Sequence, residues 1–139
     1  MFQKILVPVD LTDAHQPALE IAARLAQGSA GAVTLLHVVE VIAEVWAGED
    51  RDFYGRLEQK ARDHLARLGQ YLGERAVPRR EEVVFGHRAP EIVRYAVEEG
   101  SELIVLKSHR IALENPSAGW GTVSYKVSIL AQCPVLLVK

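Results

Sequence analysis

Strand-like and helix-like stretches alternate along this chain in the order β-α-β-α-β-α-β-α-β. That alternation points to an open, Rossmann-like parallel α/β sheet with helices on both faces. Two further observations agree. The strand-like runs are apolar on both faces, as in Ile5-Leu6-Val7-Pro8-Val9, which suits a strand buried between two helix layers. The chain has 139 residues, of which 49% are hydrophobic and 24% charged, enough for a sizeable core and too apolar for disorder. No repeat, low-complexity segment or linker interrupts the pattern, so one domain over residues 1–139 is expected.

The first strand ends at Asp10, and Thr12 or Asp13 is placed to cap the first helix. The core face of that helix reads Ala14, Ala18, Ile21, Ala22 and Leu25, with Pro17 tolerated near the first turn and Gly28 and Gly31 as stops. The second strand is Ala32-Val33-Thr34-Leu35-Leu36-His37-Val38-Val39. Glu40 to Asp52, with Trp46 and Gly48, fits no single element. A long helix then carries the stripe Phe53, Leu57, Ala61, Leu65, Leu68 and Leu72, with a mixed-charge outer face suited to solvent. Glu81 to Phe85 reads as a short third strand. The next helix opens near Pro90, buries Ile92, Val93, Ala96 and Val97, and ends at Gly100. Leu103 to Leu106 is the fourth strand. After a loop, Val123, Val127, Leu130 and Ala131 mark a last helix, which Pro134 ends, and Val135 to Val138 is the fifth strand.

Composition narrows the function. Sixteen Lys and Arg against eighteen Asp and Glu give a formal charge of −2, with no basic footprint for nucleic acid and no polybasic membrane signal. One cysteine, Cys133, excludes an intrachain disulfide. Its place before Pro134, without an activating partner, suits a structural thiol. Pro8 and Asp10 interrupt the opening apolar run before it can serve as a signal core, and no run of about 18 apolar residues spans a membrane. A soluble, cytoplasmic protein is the expectation. The five histidines show no metal-ligand spacing, and His37, inside a strand, reads as a core histidine. Neither Gly-x4-Gly-Lys-Ser/Thr nor Gly-x-Gly-x-x-Gly occurs, and no catalytic constellation appears from spacing.

Ligands of open α/β sheets bind beyond the strand carboxyl ends, where strand order reverses. The residues placed there are Asp10, Leu11 and Thr12, then Val38 to Glu40, then Lys107-Ser108-His109-Arg110, and Gly119-Trp120-Gly121-Thr122 before the last helix. That helix start offers free N–H groups and a positive dipole end to a phosphate. Gly121 allows close approach, the Thr122 hydroxyl adds a donor, and Asp10 accepts bonds from a base or ribose. The plainer alternatives are an N-cap for Gly121-Thr122, a turn former for Asp10 and a solvated loop for Lys107 to Arg110. Trp120 reads as a ligand or partner cover, or as a core or interface anchor.

Several segments resemble the universal stress protein family in the family's own order. They are Phe2 to Asp10, Val33 to Val39, Gly86-His87-Arg88-Ala89-Pro90-Glu91-Ile92-Val93, Glu102 to Arg110, Gly121 to Val127 and Cys133 to Val138. The resemblance implies a five-stranded sheet of order 3-2-1-4-5, a homodimer, a regulatory role in stress response and an unnamed regulatory protein partner. It also implies ATP as the candidate cofactor, with Val9, Asp10 and Val38 on the adenine side. Lys107, Arg110, Gly121, Thr122, Val123 and Ser124 then fall on the ribose and phosphate side. The chain departs from the family's pattern of Gly, two residues, Gly, nine residues, Gly, Ser/Thr. Lys107 and Arg110 replace the first two glycines, and ten residues separate Arg110 from Gly121. Lys107 is placed to fill the pocket, to pair with Asp10, or with Arg110 to attract a polyanion. Two readings follow: a homodimeric interaction module, paired through the C-terminal strand, with a degenerate nucleotide pocket, and an ATP-binding sensor using Gly121-Thr122. Turnover would need a carboxylate for Mg²⁺, for which Asp10 and Glu40 are nearest.

Overall fold

The structure is a computed structural model that describes residues 1–41 and 51–139. Trp46 and Gly48, in the unassigned stretch, lie outside the described residues. In chain order the elements are β1 (Lys4–Pro8), α1 (Gln16–Ser29), β2 (Ala32–Glu40), α2 (Arg51–Glu74) and β3 (Arg79–Gly86). Then come α3 (Arg88–Glu99), β4 (Leu103–Lys107), a 3-10 turn (Pro116–Gly119), α4 (Val123–Leu130) and β5 (Val135–Val138). All pairings are parallel and the strand order is β3-β2-β1-β4-β5, the 3-2-1-4-5 arrangement expected.

Strand side chains alternate between two cores because the pleat has a period of two. Ile5, Val7, Leu35 and Val105 join Leu19, Leu65 and Leu72 on the α1–α2 face. Leu6, Leu36 and Ile104 join Ile92 and Val127 on the α3–α4 face. Gly31 sits where the chain turns into β2. A Cβ there would stand 2.8 Å from the Gln3 Cα, so only glycine permits this crossing.

The helix ends correct several readings. Thr12 and Asp13 do not cap α1, because Asp10 Oδ1 takes the Thr12 N–H at 2.8 Å and the Thr12 hydroxyl at 2.5 Å. The helix starts at Gln16 after His15, Ala14 is exposed, and Leu19, Ala23 and Ala26 join the buried face. Gly28 lies inside α1, which ends at left-handed Ala30. In α2, Tyr54 is buried and Phe53 is 42% exposed, which shifts the stripe by one residue at its start. In α3, Tyr95 is buried in place of Val97, and Gly100 provides the left-handed cap as read. Leu130 of α4 is exposed.

Candidate functional site

A cleft of about 350 Å³ opens beyond the carboxyl ends of β1, β2 and β4, where the strand order reverses. Its walls include Val9, Asp10, Val38, Lys107, Gly121, Thr122, Val123 and Ser124. Arg110 is exposed and lies outside the lining, so the expected pair of cations beside the helix start reduces to Lys107. The chain leaves β4 at Lys107 and turns at once. The Ser108 N–H donates to Val138 O at 2.8 Å and Lys139 Nζ donates to His109 O at 2.9 Å, which carries Arg110 past the rim. His15, His37, Arg88 and His109 also line the cleft.

On the β1–β2 side, local hydrogen bonds hold most of the polar groups. Asp10 Oδ1 holds both Thr12 donors and stands 2.7 Å from His15 Nε2, leaving Oδ2 without a partner among the described residues. Burial alone would raise the Asp10 carboxyl, but the bonds from Thr12 and His15 outweigh it and hold it well below the usual carboxylate range. The expected Lys107–Asp10 pair is not formed among the described residues; His15 is the partner instead. The Asp10 N–H lies 3.0 Å from the same Nε2, which accepts it only in the tautomer that does not donate to Oδ1. His37 Nδ1–H donates to Val9 O at 2.9 Å, which ties β2 to β1 and fixes the tautomer. Burial, with some help from Arg88, lowers the His37 pKa and keeps the ring neutral, against the opposing Val9 bond. Arg88 Nε lies 3.5 Å from Glu40 Oε1.

On the β4–α4 side, the hydroxyls are committed and the amides are open. The Thr122 hydroxyl donates to Gly119 O at 2.7 Å and accepts the Tyr125 N–H at 3.2 Å. It is the N-cap of α4 and has no donor left for a ligand, which corrects that expectation. The Ser124 hydroxyl lies within 3.2 Å of Ser108 Oγ and 3.3 Å of Thr122 Oγ1, and Lys139 Nζ donates to Ser108 Oγ at 3.1 Å. The N–H groups of Val123 and Ser124 have no partner among the described residues, as the first turn of a helix leaves them. A Cβ placed on Gly121 would meet nothing within 4 Å, so the backbone is bare toward the cleft. Trp120 is 59% exposed and stacks on Tyr125 with ring centroids 6.4 Å apart, so it is no core anchor.

Sequence reasoning missed His15 and Arg88 as walls, placed His109 at the strand end only as part of Lys107 to Arg110, and treated His37 only as core. His37 is buried as read, yet its ring also borders the cleft. A histidine five residues after Asp10 was the available signal for the His15 bond. Cys133 is half-buried and burial pushes its thiol up, away from nucleophilic behaviour. Among the described residues, no group of three or more His, Cys, Asp or Glu is placed to hold a metal, and no helix is long and apolar enough to cross a membrane.

A parallel sheet with a cleft at its switch point, a carboxylate on one wall and an open helix start on the other, defines a Rossmann-like α/β domain. Within that class the chain belongs to the universal stress protein family, whose sequence profile matches residues 1–139. It is 30% identical over 153 residues to universal stress protein YxiE of Bacillus subtilis, covering 100% of both chains. It superposes on hypothetical protein MJ0577 with a TM-score of 0.84 at 27% identity, covering 100% of this chain and 96% of that one. Two more distant relatives share the fold. One is a universal stress protein in complex with cAMP, at 18% identity and a TM-score of 0.80, covering 99% and 97%. The other is the Archaeoglobus fulgidus protein in complex with dAMP, at 21% and 0.74, covering 100% of both.

Proposed function

We propose that this universal stress protein is a regulatory module whose cleft takes an adenine nucleotide, ATP being the ligand the sequence resemblance implies. One observation carries the reading. The bare Gly121 backbone and the open Val123 and Ser124 amides share one cleft with Asp10 and its unbonded Oδ2. Val9 and Val38 form apolar walls for a base, Asp10 Oδ2 accepts from ribose hydroxyls, and the helix start receives phosphate. The test is thermal unfolding with millimolar ATP, with and without Mg²⁺, against AMP and polyphosphate. A ligand at ~100 times its Kd adds about 2.7 kcal/mol, several degrees for a domain this size. A shift with nucleotides but not polyphosphate supports the reading. Equal shifts with polyphosphate reduce the site to a plain anion site. No shift with any of them overturns the nucleotide reading.

A second reading rests on the sheet edge. β5 ends the sheet, Leu136 on it is 38% exposed, and Ile129 and Leu130 of α4 stand exposed at 65% and 51%. An apolar open edge is covered by pairing with a twofold copy, which makes the module a homodimer through β5. Sedimentation as a monomer at micromolar concentration overturns it.

A further inference from the structure

We infer that Lys107 makes the cleft a site for a nucleoside monophosphate in preference to a triphosphate, an inference that rests on the nucleotide reading above. Lys107 is the last residue of β4, opposite Val138 in register, and it is half-buried on the cleft wall. It has no ion pair among the described residues. Arg88, the other arginine or lysine on the wall, is already paired with Glu40. The anion end of the cleft therefore holds one unpaired ammonium and the open amides of an eight-residue helix start.

Charge matching decides the ligand class. A helix start acts as roughly half a positive charge, so with Lys107 the site supplies about one and a half. A single terminal phosphate carries about −1.5 to −2 near neutral pH, and a triphosphate about twice that. The surplus of a triphosphate needs a second cation or a metal. Arg110 lies outside the lining, Thr122 has no free donor, and no metal-holding cluster exists among the described residues. Space argues the same way. Lys107 places a four-carbon side chain where glycine would leave the strand end bare. The cleft, at about 350 Å³, lies near the small end of the ~300–1,000 Å³ spanned by ligand pockets.

The test is calorimetric titration of the full chain with AMP and with ATP, each without Mg²⁺, for the unaltered protein and for Lys107→Gly and Lys107→Met. AMP is expected to bind at least tenfold more tightly than ATP to the unaltered protein. Either variant loses a charged hydrogen bond and with it roughly ten- to a hundredfold in AMP affinity. Only Lys107→Gly, which clears the space as well, gains affinity for ATP relative to AMP. Lys107→Met keeps the packed stem, so it stays informative where the glycine variant is poorly folded. ATP binding as tightly as AMP to the unaltered protein overturns the inference and leaves the nucleotide reading intact. So does an AMP-to-ATP ratio that neither variant changes. Binding of neither nucleotide overturns both.

Discussion

The two walls of the cleft are built on opposite plans. The β1–β2 wall commits its polar groups to one another: Thr12 and His15 to Asp10, and His37 to the Val9 carbonyl. Residues with no exposure underlie both walls, Val7, Leu19 and Leu35 the first and Ile104, Val105 and Val127 the second. The β4–α4 wall commits its hydroxyls but leaves Lys107, the Gly121 backbone and two helix amides open. It is reached through a loop whose Leu113 is 92% exposed and whose Trp120 is 59% exposed. The first wall is held mostly by the fold, with Asp10 Oδ2 as its open acceptor, and the second presents most of the groups open to whatever enters. A site can be precise on one side and adjustable on the other, since binding groups sit on loops that a rigid scaffold positions.

The largest expected effect tests that contrast directly. Leu35 is fully buried in β2, under the committed wall. Leu35→Ala is expected to cost about 2–5 kcal/mol of unfolding free energy, as transfer and cavity terms combine. Leu113→Ala removes the same atoms from the exposed loop and is expected to stay within about 0.5 kcal/mol. Urea midpoints of the two variants check this. Comparable losses would show that the loop before the 3-10 turn is packed, and the contrast between the walls would fail.

A smaller effect probes the α4 side. Thr122 caps an eight-residue helix with its hydroxyl, so Thr122→Ala is expected to destabilise the ligand-free protein by about 1 kcal/mol, with Thr122→Ser close to the original. An unchanged ligand-free midpoint for Thr122→Ala would mean that the hydroxyl is not spent on the cap. It would then be free to serve a ligand, and the open wall would hold one more donor than the structure shows.

The sequence made the frame of this molecule legible and left the polar detail obscure, for physical reasons. Strand runs such as Leu103 to Leu106 are apolar on both faces, and only a buried parallel sheet accommodates them. Of the nine residues that the family resemblance implied for the nucleotide, eight line the cleft, Arg110 being the exception. Helix starts were misread because Thr12 is a good cap by type but lies two residues after a carboxylate that captures both its donors. The buried positions fall on Tyr54 and Tyr95 rather than Phe53 and Val97, against a hydropathy ranking that places tyrosine below its neighbours, because its ring buries well, and in Tyr95 the hydroxyl is buried too. Arg88 reaches the site through side-chain direction, which spacing does not encode.

The smallest expected effect is a slope in pH, and it returns to the committed wall. His37 is held neutral by burial, so its folded pKa lies below the ordinary value of about 6.5. Between the two values the unfolded chain binds more protons than the folded one, so stability rises with pH there. The His37 contribution is therefore complete above about pH 6.5 and declines as pH falls below it. Asp10 adds a second, lower limb. Its folded pKa is depressed, so its contribution is present above the ordinary carboxylate value of about 4 and is lost only as strong acid protonates it in the fold. Unfolding free energy measured at intervals from pH 8 to 5 isolates the first limb by difference. His37→Phe is expected to flatten the slope between about 6.5 and 5, while Lys107→Met on the open wall leaves it unchanged. A slope that His37→Phe leaves intact would assign the proton to another histidine. The neutral ring tying β2 to the Val9 carbonyl would then not be what makes this wall rigid.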